Sequence, residues 1–350
     1  MKKLISLILI SATVFMQCAV LSSCKKPQKF TDYSFDYFDT VTTIVGFEKS
    51  EEEFNKRCES IKQRLEKYHK LYTIYTRYEN LNNLCVVNGT TNAAHQEVKV
   101  DKEIIELLEF SKQMYEKTNG KVNVAMGSVL SIWHKYREEG MNDPANASLP
   151  EMQDLISAAA HTDIEKLIIN REKSTVFLAD GEMKLDVGAI AKGYAAEQVA
   201  DWLEEKGVTG YLLNIGGNVK IVGKRPDGEK WTVGIENPDT ENSQEPYIEL
   251  LSLDSKALVT SGSYQRFYTV NGKNYHHIID PATLQPSEYL LSVSVLCEDS
   301  GMADAFSTAL FCMNYEDGKR LISESDGIEA MWILKDGTKL YSENFKKYCK

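Results

Sequence analysis

Several stretches of this 350-residue chain combine residue types that can handle phosphate. In Asp186-Val187-Gly188-Ala189-Ile190-Ala191-Lys192-Gly193-Tyr194 an apolar strand is expected to end, small residues follow, and a helix starts. Small residues let backbone approach a ligand, a helix N-terminus favours anions, and Lys192 adds positive charge in the first turn. That pattern suits a phosphate or diphosphate. The GxxxxGK spacing of a P-loop is absent, and a tight strand-to-helix turn without a ligand fits the local residues equally well. Asp304 and Thr308 stand four apart on an expected helix and so share a face. A carboxylate and a hydroxyl are hard oxygen ligands suited to Mg²⁺. The plainer alternative makes Asp304 a helix cap and buries Thr308 in the core. Thr260-Ser261-Gly262-Ser263-Tyr264-Gln265-Arg266 offers hydroxyls, an aromatic ring and a guanidinium, or merely a polar turn. His276 and His277 are adjacent in an expected strand, so they point to opposite faces and do not share a metal. One is expected to be structural and the other a proton acceptor.

These groups need elements to hold them. Residues 37–47 alternate and are rich in Thr and Val, which predicts a strand. Ser50-x-x-Glu53 is a capping box, and it opens a helix with Phe54, Cys58, Ile61, Leu65 and Tyr68 on one face. Residues 80–100 read as irregular. Asp101 is expected to cap a second helix that Asn119-Gly120 ends. Residues 137–148 read as a polar surface loop and the best place for a hinge. Ser148 with Glu151 is expected to cap a third helix, with Pro150 in its first turn. Later stretches predict a hairpin at 166–169 and 175–178, a short strand at 185–187, and a helix over 190–206. Strands follow at 211–215, 219–222, 231–236, 248–253, 258–260 and 267–270. Asn271-Gly272 marks a tight hairpin turn. A strand at 291–296, helices at 302–313 and 315–324, and strands at 329–334 and 338–341 complete the chain. Helices grouped toward the N-terminus and strands toward the C-terminus predict an α+β class, as one compact domain with mixed or antiparallel sheets.

Charged residues make up 26% and hydrophobic ones 43%, which excludes wholesale disorder. A formal charge of −11 gives no global field for a polyanion, so nucleic acid is not an expected partner. Lys2 and Lys3 followed by an apolar run over 4–16 form a secretory signal. Leu21-Ser22-Ser23-Cys24 resembles the bacterial lipobox, which makes Cys24 the lipidated residue. Residues 1–23 are then a lipoprotein signal peptide, 24–36 a lipidated cysteine and tether, and 37–350 the folded domain. The expected location is the bacterial cell envelope, lipid-anchored to a membrane and facing outside the cytoplasm. Cys58, Cys85, Cys297, Cys312 and Cys349 are odd in number and lack a CxxC pair. Buried free thiols are expected rather than a disulfide framework or a zinc site.

Taken in order, Phe38-Asp39-Thr40, Tyr75-Thr76-Arg77, residues 120–133, residues 186–194, Asn214-Ile215-Gly216-Gly217-Asn218, residues 260–266, residues 277–281 and residues 304–308 resemble the ApbE family of FAD:protein FMN transferases. The resemblance spans nearly all of the chain after the signal segment. It implies that FAD and Mg²⁺ bind in a central cleft. A Thr or Ser hydroxyl of an exported acceptor protein attacks the phosphorus on the FMN side of the diphosphate, and AMP leaves. It implies Mg²⁺ ligation by Asp304, Thr308 and the backbone of Ala189, with Lys192 on the diphosphate. His277 is the implied base, and Asp304 is catalytic through the metal. Phe38 and Tyr75 match positions near the flavin. Ala125, Met126 and Gly127 match a stretch whose backbone approaches flavin or adenine. Asp186, Ile278, Tyr264 and Arg266 complete the implied cofactor contacts. The implied acceptor is an electron-transfer subunit with a short Asp-Gly-x-Ser/Thr-type region.

Two departures bear on the substrate side. Many relatives read Asp-Pro-Arg-Thr-Gly where this chain reads Asp280-Pro281-Ala282-Thr283-Leu284, and Phe38-Asp39 stands where Met-Gly is common. An FAD diphosphatase on the same scaffold and a non-catalytic flavin-binding lipoprotein are the alternatives. An FAD-dependent oxidoreductase is less expected, because no GxGxxG follows a strand.

Overall fold

The computed structural model describes residues 26–90, 96–239, 244–264 and 266–350. The signal segment and Cys24 lie outside the described residues. Strand β1 (Gln28–Tyr37) pairs antiparallel with β2 (Thr40–Glu48). The folded body therefore takes in most of the stretch expected to be a tether. Alternation explains it: Phe30, Asp32 and Ser34 turn inward while Thr31, Tyr33 and Phe35 face solvent. Helix α1 (Glu51–Tyr72) starts as its capping residue requires, with the Ser50 side chain accepting from the Glu53 N–H at 3.2 Å. A short helix α2 (Leu84–Asn88) interrupts the expected irregular stretch, because Asn83 caps it through the Val86 N–H.

Strand β3 (Val98–Lys99) precedes α3 (Lys102–Lys117), where Asp101 is the N-cap residue without a side-chain cap bond. Helix α4 (Gly127–Asn142) is absent from the sequence expectations, and it absorbs the first part of the expected 137–148 loop. Its polar residues face water while Val129, Trp133 and Gly140 face inward. Helix α5 (Met152–Ala159) starts after Glu151, not at Ser148. Strands β4 (Leu167–Asn170) and β5 (Thr175–Leu178) join β3 in a small sheet. No strand forms at 185–187, where an isolated bridge joins Lys184 to Met126.

Helix α6 (Ala191–Glu205) leads to β6 (Tyr211–Ile215), β7 (Asn218–Val222) and the ribbon of β8 (Trp231–Glu236) and β9 (Tyr247–Leu253). Then come β10 (Ala257–Gly262), the hairpin β11 (Phe267–Val270) and β12 (Lys273–His276), and the two-residue strands β13 (Ile279–Asp280) and β14 (Gln285–Pro286). Strand β15 (Leu290–Cys297), helices α7 (Ser300–Phe311) and α8 (Tyr315–Ser323), and strands β16 (Glu329–Leu334) and β17 (Lys339–Tyr341) end the chain.

The main sheet has eight strands in the order β1-β2-β6-β7-β10-β15-β16-β17, all pairs antiparallel. Alternate residues divide its faces. Val222, Val259 and Val295 face the helices α1, α3, α6 and α7, while Ile221, Leu258 and Leu296 face the β8–β9 ribbon. Both faces are therefore apolar, which explains the buried run through β7 and β15. A third cluster, around Val129, Trp133, Tyr268 and Ile279, ties α4 and α5 to the β11–β12 hairpin. The cleft opens between this third cluster and the ends of α6, α7 and β10.

Candidate active site

Helices α6 and α7 hold one end of the cleft. Gly193, in the first turn of α6, donates its N–H to Asp304 Oδ2 at 2.8 Å. A Cβ on Gly193 would stand 2.2 Å from the Ser300 carbonyl and 2.5 Å from Asp304 Cβ. The smallness of Gly193 thus serves helix–helix approach rather than a ligand. Asp304 is only 4% exposed, and burial raises its pKa against the pull of Lys192 and the Gly193 N–H. It is no helix cap: Asp299 takes that part, accepting from the Met302 N–H at 2.8 Å. Thr308, Ala189 and Lys192 line the same cleft as Asp304. Among the described residues, no group of three or more His, Cys, Asp or Glu is placed to hold a metal.

Asp186 precedes this turn and accepts from the Gly188 N–H at 2.8 Å. Desolvation raises its pKa despite that bond and the cations around it. His277 enters at the end of β12. Its Nδ1 lies 3.2 Å from the Arg266 carbonyl, which fixes the proton on Nδ1 and leaves Nε2 bare. Burial pushes its pKa down to about 3, and Arg266, Arg137 and Lys192 push the same way. The imidazole is therefore neutral in the ligand-free protein. His276 has the structural part. Its Nδ1 accepts from the Ile278 N–H at 3.2 Å, and Nε2 donates to the Ser287 carbonyl at 2.7 Å.

Of the other expected cofactor residues, Tyr75, Met126, Arg266 and Ile278 line the cleft. Four are placed elsewhere. Phe38 sits at positive φ in the β1–β2 turn, packs edge-on against His69, and donates its N–H to His69 Nδ1. Ala125 is fully buried beneath Met126. Gly127 has the Lys184 carbonyl 2.5 Å from where a Cβ would be, so its size is a packing requirement. Tyr264 lines a neighbouring groove instead.

Sequence reasoning missed three cleft residues. His134 stacks on Tyr75 with ring centroids 4.9 Å apart, and Arg137 donates to His134 Nδ1 at 2.8 Å. Both sit on α4, the helix the polar sequence concealed. Arg137 makes no ion pair among the described residues, and its pKa is lowered by desolvation and by Arg266. Asn218 is 2% exposed, lines the cleft, and leaves Oδ1 without a hydrogen-bond partner. A buried amide oxygen of that kind is a position that a ligand N–H can satisfy. The segment 214–218 pointed to it, but without a role.

The loop after His277 is tied down by this chain's own residues. Asp280 Oδ1 accepts from Lys121 Nζ at 2.8 Å and from the Ala282 N–H at 3.0 Å. Leu284 adopts φ +60, in the left-handed region that favours glycine, and its carbonyl accepts from Trp133 Nε1 at 2.9 Å.

The arrangement is thus a half-enclosed cleft with an aromatic slot, three cations, an oxygen donor pair and a neutral histidine. The chain around it matches known proteins over most of its length. The ApbE family model matches residues 32–332. An FAD:protein FMN transferase of Klebsiella pneumoniae (strain 342) is 30% identical over 273 residues, covering 76% of this chain and 82% of that protein. Another, from Haemophilus influenzae, is 28% identical over 347 residues, covering 96% and 94%. The crystal structure of the ApbE protein of Thermotoga maritima superposes with a TM-score of 0.80 at 26% identity, over 92% of this chain and 100% of that one. The flavin transferase ApbE of Vibrio cholerae shares the fold, with a TM-score of 0.74 at 23% identity over 92% and 99%. The cleft, its order of motifs along the chain and these matches lead to one conclusion: the chain belongs to the ApbE family.

Proposed function

We propose that this protein is an FAD:protein FMN transferase that moves FMN from FAD to a Thr or Ser hydroxyl of an exported acceptor protein. One observation carries the reading: Lys192, the Asp304–Thr308 pair and a neutral His277 converge on one cleft in a chain of this family. The acceptor hydroxyl attacks the phosphorus that bears riboflavin, and its proton passes to His277 Nε2. The bond from that phosphorus to the bridging oxygen breaks, and AMP leaves with the bridging oxygen. Lys192, Arg137 and Arg266 surround the diphosphate with positive charge, and the Tyr75–His134 pair offers a stacking face for a planar ring.

The donor set fits Mg²⁺. A buried carboxylate, a hydroxyl and a backbone carbonyl at Asp304, Thr308 and Ala189 are oxygen ligands that leave room for water and phosphate oxygens. Held there, Mg²⁺ would offset the charge of the diphosphate and give the desolvated Asp304 a counter-charge. A second reading, FAD diphosphatase, draws on the loop where Ala282 and Leu284 replace the Arg and Gly common in relatives. Water then takes the place of the acceptor hydroxyl.

Residues 1–23 are proposed to direct export, with Cys24 as the lipid anchor. Lys2, Lys3, the apolar run and Leu21-Ser22-Ser23-Cys24 support this. Only Lys25-Lys26-Pro27 then separates the anchor from β1. The test uses the full chain in detergent with FAD and Mg²⁺, with and without a candidate acceptor, assayed for AMP and for flavin fluorescence on denatured protein. AMP with a fluorescent acceptor establishes the transferase. AMP alone across several acceptors establishes the diphosphatase. FAD bound with no AMP refutes both.

A further inference from the structure

Beside the cleft lies a second groove, with a volume of about 810 Å³. Strand β12 forms one wall along its whole length, and the stretch 287–291 forms the other. Tyr275 and His276 line both groove and cleft, so β12 is a wall common to the two.

Among the described residues, strand β12 has a single neighbour, β11. Asn271 and Gly272, at φ +50 and +79, make the two-residue turn that closes a hydrogen-bonded Val270/Lys273 pair. Bonding alternates from there, so Tyr268/Tyr275 is bonded and Thr269/Asn274 and Phe267/His276 are not. The His277 N–H donating to the Arg266 carbonyl at 3.2 Å continues the same alternation. The amides and carbonyls of Asn274 and His276 therefore point away from β11, and they meet no backbone partner among the described residues. A free edge of this kind is a template for an added strand. The chain passes from it directly into His277.

The rim adds chemistry. Lys273 and Lys335 both pair with Glu288, which leaves one positive charge in excess and suits an acidic visitor. Phe267 and Tyr289 are exposed at 37% and 42% and offer apolar contact to alternate side chains of an extended segment.

We propose that this groove docks the acceptor protein: an extended, acidic segment adds as a strand to the free edge of β12 and so brings its hydroxyl residue to His277. The proposal rests on the transferase reading above. Asn274→Pro removes the outward N–H without touching the ladder to β11, a change that edge strands tolerate. Asn274→Ala keeps the N–H and loses the same side-chain bond from Thr269, so it is the matched control.

The probe is a carrier protein displaying Asp-Gly-Ala-Thr on an extended terminal tail, given to the full chain in detergent with FAD and Mg²⁺. The rate of probe labelling should fall about tenfold in Asn274→Pro relative to Asn274→Ala, with FAD binding equal in the two. Amide hydrogen exchange supplies a readout that needs no turnover. The probe should slow exchange at Asn274 and His276, whose amides are free. Equal labelling rates in the two variants, or a bound probe that leaves both amides unprotected, would overturn the groove while leaving the transferase standing. An unsubstituted chain that yields neither AMP nor label in the presence of acceptors instead sinks the transferase reading, and the dock with it.

Discussion

His277 and Asp304 are both desolvated, with opposite consequences. Burial holds the imidazole neutral, and it leaves the carboxylate in want of a counter-charge. Replacing Asp304 with Ala should lower Mg²⁺-dependent AMP release at least about a hundredfold, while FAD still quenches on binding. Replacing His277 with Ala should cost about 10²–10⁴ in labelling rate, with FAD affinity retained. Full activity in either variant removes the role given to that residue. The pH dependence has a definite sign. His277 titrates at about 3 when folded against an ordinary 6.5, so its contribution to stability is complete above 6.5 and is lost as pH falls toward 3. The His277→Gln chain should therefore lose less thermal stability than the unsubstituted protein between roughly pH 6.5 and 4. A parallel loss in the two proteins would show the ring to be solvated. Which residues hold the site was partly legible. Lys192, Asp304, Thr308 and His277 carry it in their types and spacing. His134 and Arg137 were not legible, because a polar run on one face of a helix reads like a loop until its opposite face finds a core.

At the scale of elements, the close approach of α6 and α7 is what sets Asp304 beside Lys192. Gly193 permits it sterically, and Glu197 holds it electrostatically. Glu197, on α6 and partly buried, accepts from the Ser300 N–H at 2.6 Å and from the buried Lys220 Nζ at 2.7 Å. Gly193→Ala should force the helices apart, costing about 1–3 kcal/mol in denaturant unfolding and abolishing metal-dependent turnover. Activity at the unsubstituted level in a folded Gly193→Ala chain would show that the helix spacing is not what positions Asp304. Glu197→Ala leaves the buried Lys220 ammonium without its carboxylate and should cost about 3 kcal/mol by the same measurement. The helix start at Ser50 was readable, since the cap acts within four residues, whereas the Asn83 cap lay hidden in a stretch too short to show a helical period. Helix α4 and the missing strand at 185–187 were not, since their state depends on what packs against them. The segment 185–187 has one hydrogen-bonded bridge beside it rather than a ladder, so extended residues there do not become a strand.

For the whole molecule, the proposal that Cys24 carries a lipid anchor makes anchor and catalytic body separable. Cys24→Ala should shift the protein from the membrane fraction to the soluble fraction of the envelope, while AMP release per molecule is unchanged. Retention in the membrane would discard Cys24 as the anchor. The sequence by itself determined the class of the protein: the order of its short motifs, its acidic balance and its alternating strands are local properties that need no partner. It also separated the two adjacent histidines, because a strand turns neighbours to opposite faces. Only the tertiary structure decided which small residues serve ligands and which serve packing. Gly193 and Gly127 are tight against backbone brought from far along the chain, and no local pattern carries that distance. Only the tertiary structure set Phe38 and Tyr264 outside the cleft, brought His134, Arg137 and Asn218 into it, and left the edge of β12 open toward His277. Those outcomes depend on which surfaces meet, and surfaces meet only when the whole chain has folded.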